Sequence, residues 1–181
     1  MMELKVINQI DFSKLTNLYS IKSIENALIS IYIKENNFST RNKLLKIIID
    51  SSDSQLVEAV NCFLQTKRIK LDLLTIQKIF ELMLERNERK KTGTFYTPYF
   101  IVDYIVQNSI KGDLNVVDPC CGCGAFLVGA VKRINKITQK SIIDIIETNI
   151  YGVDNSEEAI RRAKIILALL ALSLGEDKED I

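Results

Sequence analysis

Most of the chain's chemistry sits in one stretch near its middle, Asp118-Pro119-Cys120-Cys121-Gly122-Cys123-Gly124. Asp118 offers a carboxylate. Gly122 and Gly124 permit backbone angles and close approaches that a Cβ would forbid. The preceding Asn115-Val116-Val117 reads as a short buried strand, β-branched as a packed pleat favours. Pro119 closes it, because proline cannot donate to a ladder. From Ala125 to Ile134 apolar residues recur at helical intervals. A ligand at such a loop meets N–H groups at a helix N-terminus and a carboxylate at a strand end. That combination suits a ligand with both polar and cationic parts, not a phosphate alone.

Two further stretches carry chemistry. Asn149-Ile150-Tyr151-Gly152-Val153-Asp154-Asn155 reads as a second strand that ends in an acid. Asp154 is the type of group that grips a ribose diol, since a carboxylate accepts from both hydroxyls. The competing reading is that it only caps the next helix, although Ser156 and Glu157 are already available there. Gly93-Thr94-Phe95-Tyr96-Thr97-Pro98 breaks a helix and starts another, with Thr97 as N-cap and Pro98 at the first helical position. Phe95 and Tyr96 either line a pocket or staple that helix to the elements before it.

Other chemistries are excluded or disfavoured. The chain has no histidine, so a histidine triad, a histidine base and histidine metal ligands are ruled out within it. Three of the four cysteines crowd into residues 120–123, which is no disulfide framework, and no second cluster completes a zinc site. A nicotinamide dinucleotide is disfavoured too. Leu127 stands where the third glycine or alanine of that fingerprint belongs, and Asp154 follows Gly124 by 30 residues, where about 20 are expected.

The elements that must position these residues fall into two parts. With 181 residues, the chain has room for one domain, or for a small domain plus part of another. Residues 1–92 hold 15 basic against 11 acidic side chains and residues 93–181 hold 9 against 12, so the front is +4 and the back −3. A solvated helical surface explains a mildly basic front, and contact with a polyanion is the sharper alternative. The same two readings apply to the run Glu85 to Lys91. There is no secretory signal and no run of about 20 apolar residues, so a cytoplasmic protein without a membrane span is expected.

Residues 1–92 lack proline and glycine and are expected to form a helical bundle. One helix carries Ile21 to Ile33 and stops at Asn36 and Asn37. A second is capped by Ser39 or Thr40, a third by Asp53 or Ser54, and a fourth runs from Leu71 or Asp72 to about Arg89. The back reads strand, helix, strand, helix, with a short helix at 141–147 and a long one at 157–174. This is the opening of a doubly wound α/β sheet with an acid at the end of each strand.

With these stretches in place, the chain resembles the adenine-specific DNA methyltransferases of restriction–modification systems. The likeness is to type I modification subunits and fused type II enzymes, and it covers about residues 90–175. Gly93 to Pro98 is similar to the family motif that covers the cofactor's methionine end, and Asp118 to Leu127 to its central cofactor loop. The resemblance implies a Rossmann-like methyltransferase sheet, present only as its first half, behind an N-terminal helical domain (1–92, then 93–181). It implies S-adenosylmethionine as cofactor. Tyr96, Thr97 and the backbone beside Pro98 would hold the methionine carboxylate, with Phe95 also among the cofactor-binding residues. Asp118, Pro119, Cys120, Cys121, Gly122, Cys123 and Gly124 would hold the amino-acid part. Asp154 would take the ribose hydroxyls, with Asn155 beside the adenine.

One departure matters. The family's catalytic motif, Asp or Asn followed by two prolines and an aromatic, is absent; the only prolines are Pro98 and Pro119. The chain is therefore expected to be an N-terminal piece, inactive alone, whose parent binds DNA and pairs with specificity or restriction subunits. The alternatives are a piece of a protein-glutamine or RNA methyltransferase, or a non-catalytic assembly module. A two-stranded sheet would leave an open edge and part of helix 157–174 uncovered; the helical front and helix 98–110 are expected to supply the cover, with self-association through the open edge as an addition.

Overall fold

A computed structural model of the chain describes residues 12–92 and 97–180, apart from the side chains of 84–92. It is mostly helical, with one small parallel sheet of two strands. Phe95, Tyr96 and the side chains of the charge run after Leu84 lie outside the described residues. The chain divides into two compact units, residues 1–39 with 43–94, and residues 40–42 with 95–181.

The first unit is helical. Its elements are α1 (Ser13–Thr16), α2 (Ile21–Glu35), α3 (Lys43–Asp50), α4 (Ser54–Thr66) and α5 (Leu73–Thr92). Local signals set most of the boundaries. Ser20 accepts the Ser23 N–H at the start of α2, and Asn36 with Asn37 (φ +53°) ends it. Asp53 accepts from Leu56 N at 2.9 Å and Asp72 from Thr75 N at 2.7 Å. These side chains satisfy donors that a helix start leaves open. Helix α2 is the centre of this unit and packs on α1, α3, α4 and α5. Ile24, Leu28, Ile29, Leu45, Ile76, Ile79 and Phe80 are fully buried around it. The expected cap of α3 is different. That helix starts at Lys43, and the Thr40 hydroxyl accepts from Asn42 N and donates to Asp177.

The second unit holds α6 (Tyr99–Ser109), β1 (Val116–Asp118), α7 (Ala125–Thr138), α8 (Ile142–Asn149), β2 (Ile150–Gly152) and α9 (Glu157–Ser173). Strands β1 and β2 pair in parallel, with Val116 opposite Ile150, Val117 opposite Tyr151 and Asp118 opposite Gly152. Helix α7 is the hub, in contact with both strands and with α6, α8 and α9. Gly129 lets α6 come close: a Cβ there would meet Val106 Cγ2 at 3.2 Å.

Three expectations need correction. β1 is half-buried on one side and open on the other. Val117 is 63% and Tyr151 49% exposed, because the described helices that touch the strands leave their shared face open. Helix α9 does not lack cover: Ala163 to Leu172 is buried except at Lys164, with α7 and α8 both packed on it. Thr97 does not cap α6. Pro98, in extended conformation, takes the cap position, and its carbonyl accepts from Ile101 and Val102 N–H.

One cap comes from far along the chain. Besides Ser141, which caps α8 locally, the Glu176 carboxylate accepts from Ile142 N at 2.8 Å and Ile143 N at 2.9 Å. The negative charge also opposes the positive end of the helix dipole. Glu176→Ala should lower unfolding free energy by about 1–2 kcal/mol. In urea titrations this would appear as a lower midpoint with an unchanged slope, and an unshifted midpoint would refute the cap's contribution.

Candidate functional site

Strand, loop and helix converge at the end of the sheet where β1 and β2 stop. Gly122 (φ +52°) and Gly124 (φ +82°) both adopt left-handed angles, which explains glycine at both positions. At Gly124 space is short as well, since a Cβ would lie 3.3 Å from the Ala163 Cβ of α9.

Four of the loop's N–H groups are tied inward. Cys120 N donates to Asp118 Oδ1 at 3.1 Å, Cys121 N to the Val153 carbonyl at 2.9 Å, and Gly122 N to Asp154 Oδ2 at 2.9 Å. Gly124 N closes a turn onto the Cys121 carbonyl at 2.8 Å. Asp154 Oδ1 accepts from Ser156 N at 2.9 Å, and Val153 N donates to the Asp118 carbonyl. Two strand-end carboxylates therefore flank one loop and spend part of their accepting capacity on it. What remains toward a ligand is the accepting capacity and charge of two carboxylates, beside the first-turn amides of α7. Such a site suits a ligand that carries a cation and hydroxyl groups better than a phosphate alone.

The structure thus brings Asp118, Pro119, Cys120, Cys121, Gly122, Cys123, Gly124 and Asp154 to one loop at the sheet's end, with Asn155 next along the chain. Thr97 and Pro98 lie at the start of α6, which packs on α7. Asp154 also serves the helix start, but the side-chain cap of α9 is Ser156, whose hydroxyl accepts from Ala159 N.

Gly152 was not singled out by sequence reasoning. A Cβ there would meet Leu127 Cδ1 at 2.7 Å and Cys121 Sγ at 3.1 Å. Leu127 occupies the helix position where a dinucleotide fold keeps a small residue for close packing. Here the small residue is on the strand instead. A glycine inside a strand pattern was the available signal.

None of the four cysteines is in a disulfide; Cys62 and Cys120 are exposed, Cys121 and Cys123 buried. Burial pushes the Cys121 thiol up to about 11 from 9.0, and the Asp154 and Asp118 carboxylates add to the shift. At pH 8, iodoacetamide should therefore modify Cys62 and Cys120 quickly, and Cys121 and Cys123 only after unfolding, as read by peptide mass spectrometry. Rapid native labelling of Cys121 would contradict the burial. Between about pH 9 and 11 the folded chain holds this proton while the unfolded chain releases it, so stability should fall as pH rises through that window. Among the described residues no group of three histidine, cysteine or acidic side chains is placed to hold a metal ion, and no helix is long and apolar enough to cross a membrane.

Comparison with known proteins places this geometry. The model of the N-6 DNA methylase family matches residues 72–176, more than half of the chain. The chain belongs to this family. The match begins at Asp72 and so takes in helix α5 as well as the strand–loop–helix unit. The chain is similar to the type II methyltransferase M.VspI of Vibrio sp. (strain 343), with 35% identity over 124 residues, 66% of this chain and 26% of that protein. It is also similar to the type I restriction enzyme MjaIX methylase subunit of Methanocaldococcus jannaschii, with 37% identity over 83 residues, 45% of this chain and 14% of that protein. The matched part thus spans about a quarter or less of these relatives.

Proposed function

We propose that the chain is the cofactor-binding part of a DNA methyltransferase that uses S-adenosylmethionine and acts on the amino group of adenine. The observation that carries this is the donor set of the loop. Four of its amides are taken by Asp118, Asp154 and two carbonyls, and the two carboxylates keep accepting capacity and negative charge beside the loop. A sulfonium and an ammonium group match that charge, and a dinucleotide's pyrophosphate does not. Bound S-adenosylmethionine would supply the electrophilic methyl group.

In this reading the loop from Asp118 to Gly124 holds the amino-acid part and Asp154 takes the ribose hydroxyls. Asn155 lies beside the adenine, and the segment Phe95 to Pro98 covers the methionine end. The two strands with α7 and α9 are the first half of a Rossmann-like sheet, following in sequence an N-terminal domain that includes helices α1 to α5. Residues to hold a flipped target base are not among these 181, because the proline-pair motif is absent. The chain alone should therefore transfer no methyl group to DNA. One relative is by name a subunit of a type I enzyme, which supports DNA and specificity or restriction subunits as partners of the whole protein.

Calorimetric titration of the chain with S-adenosylhomocysteine and, separately, with oxidised nicotinamide dinucleotide tests the reading. Saturable binding of the first alone is expected. Binding of the dinucleotide, or of neither by a folded chain, would overturn it.

A further inference from the structure

We infer that Asp154 is a positioning residue for the glycine loop, so that the loop holds its binding shape before any ligand arrives. The consequence for affinity rests on the cofactor reading above; the geometry does not. Two bonds stitch the loop to the end of β2. Cys121 N to the Val153 carbonyl is backbone to backbone and depends on no side-chain acceptor. Gly122 N to Asp154 Oδ2 spans 32 residues of sequence and depends on one carboxylate. It pins the residue whose left-handed angle (φ +52°) opens the turn from Cys121 to Gly124. A charge-assisted bond is well suited to hold such an angle. The other oxygen accepts from Ser156 N at 2.9 Å, which fixes the plane of the carboxylate.

Each oxygen of Asp154 thus spends one acceptor direction on the protein and keeps another for a ligand hydroxyl. One side chain both shapes the loop and meets the ligand. Asparagine has the same outline but only one accepting atom, and its NH2 group would face the second amide donor to donor. Asp154→Asn can hold Gly122 or Ser156, not both.

The test is amide exchange by NMR on the ligand-free 181-residue chain. Asp154→Ala should speed exchange of the Gly122 N–H at least 10-fold, and Asp154→Asn by less. The Val131 and Ile134 amides inside α7 should keep their wild-type protection. If Gly122 exchanges at its wild-type rate while those controls stay protected, the brace is refuted. Should the alanine variant lose the controls, Asp154→Leu, which keeps the side chain's outline without an acceptor, decides by the same criterion. Titration of the same samples with S-adenosylhomocysteine separates the two readings. Faster Gly122 exchange with undiminished affinity supports the brace and removes the ribose assignment. Unchanged exchange with lost affinity refutes the brace and leaves that assignment standing.

Discussion

Asp154→Ala is expected to weaken binding of S-adenosylhomocysteine by about 100-fold. The carboxylate is half-buried at the end of β2 and anchored by Gly122 and Ser156 N–H. Its remaining acceptor directions suit the two hydroxyls of a ribose. Hydrogen bonds to a charged group contribute about 1.5–3 kcal/mol each, and two on one residue add less than fully. A loss of about 3 kcal/mol corresponds to roughly 100-fold in dissociation constant. Asp154→Glu keeps the charge but moves it by a methylene, away from both amides, and should recover little. Calorimetry on folded variants decides the matter; a change below threefold would remove Asp154 from the site.

Gly152→Val should cost about 2–3 kcal/mol of stability, in the range of overpacked cores, and abolish cofactor binding without touching the ligand. The added Cβ would stand 2.7 Å from Leu127 Cδ1 and 3.1 Å from Cys121 Sγ. Leu127 and Cys121 are both buried, so the added bulk must displace one or both of them. A shift of Cys121 would pull Gly122 away from Asp154. Gly152→Ala meets the same two atoms with less bulk and should fall between. Urea midpoints and S-adenosylhomocysteine titration read both effects. A valine variant with wild-type stability and affinity would show that the close approach is not needed.

The strand ends, their acids and the glycine loop were legible in the sequence because each is signalled within a few residues. Val116-Val117 before Asp118-Pro119, and Ser156 with Glu157 and Glu158 after Asp154, are local patterns. So was the cap at Asp53, which bonds to the amide three residues on. The rest depends on contacts that no local pattern encodes. The acceptor of the Gly122 amide is 32 residues away, and the need for glycine at 152 comes from Leu127 and Cys121 on other elements. Val117 misled for a related reason. β-branching suits a strand whether or not a helix covers it, and here that face is open. Thr97 failed as a cap because the extended Pro98 took the position next to the helix.

Helix α8 receives a cap from a residue made 34 positions later, and it lies inside the connection between the two paired strands. Synthesis runs from the N-terminus, so α8 and both strands leave the ribosome before Glu176 does. Until then the amides of Ile142 and Ile143 have only water to bond. The crossover should form early but loosely and tighten when the segment after α9 folds back. Nascent chains arrested with residue 170 just emerged should therefore be cut by protease near Ser141, and chains arrested with residue 181 emerged should resist.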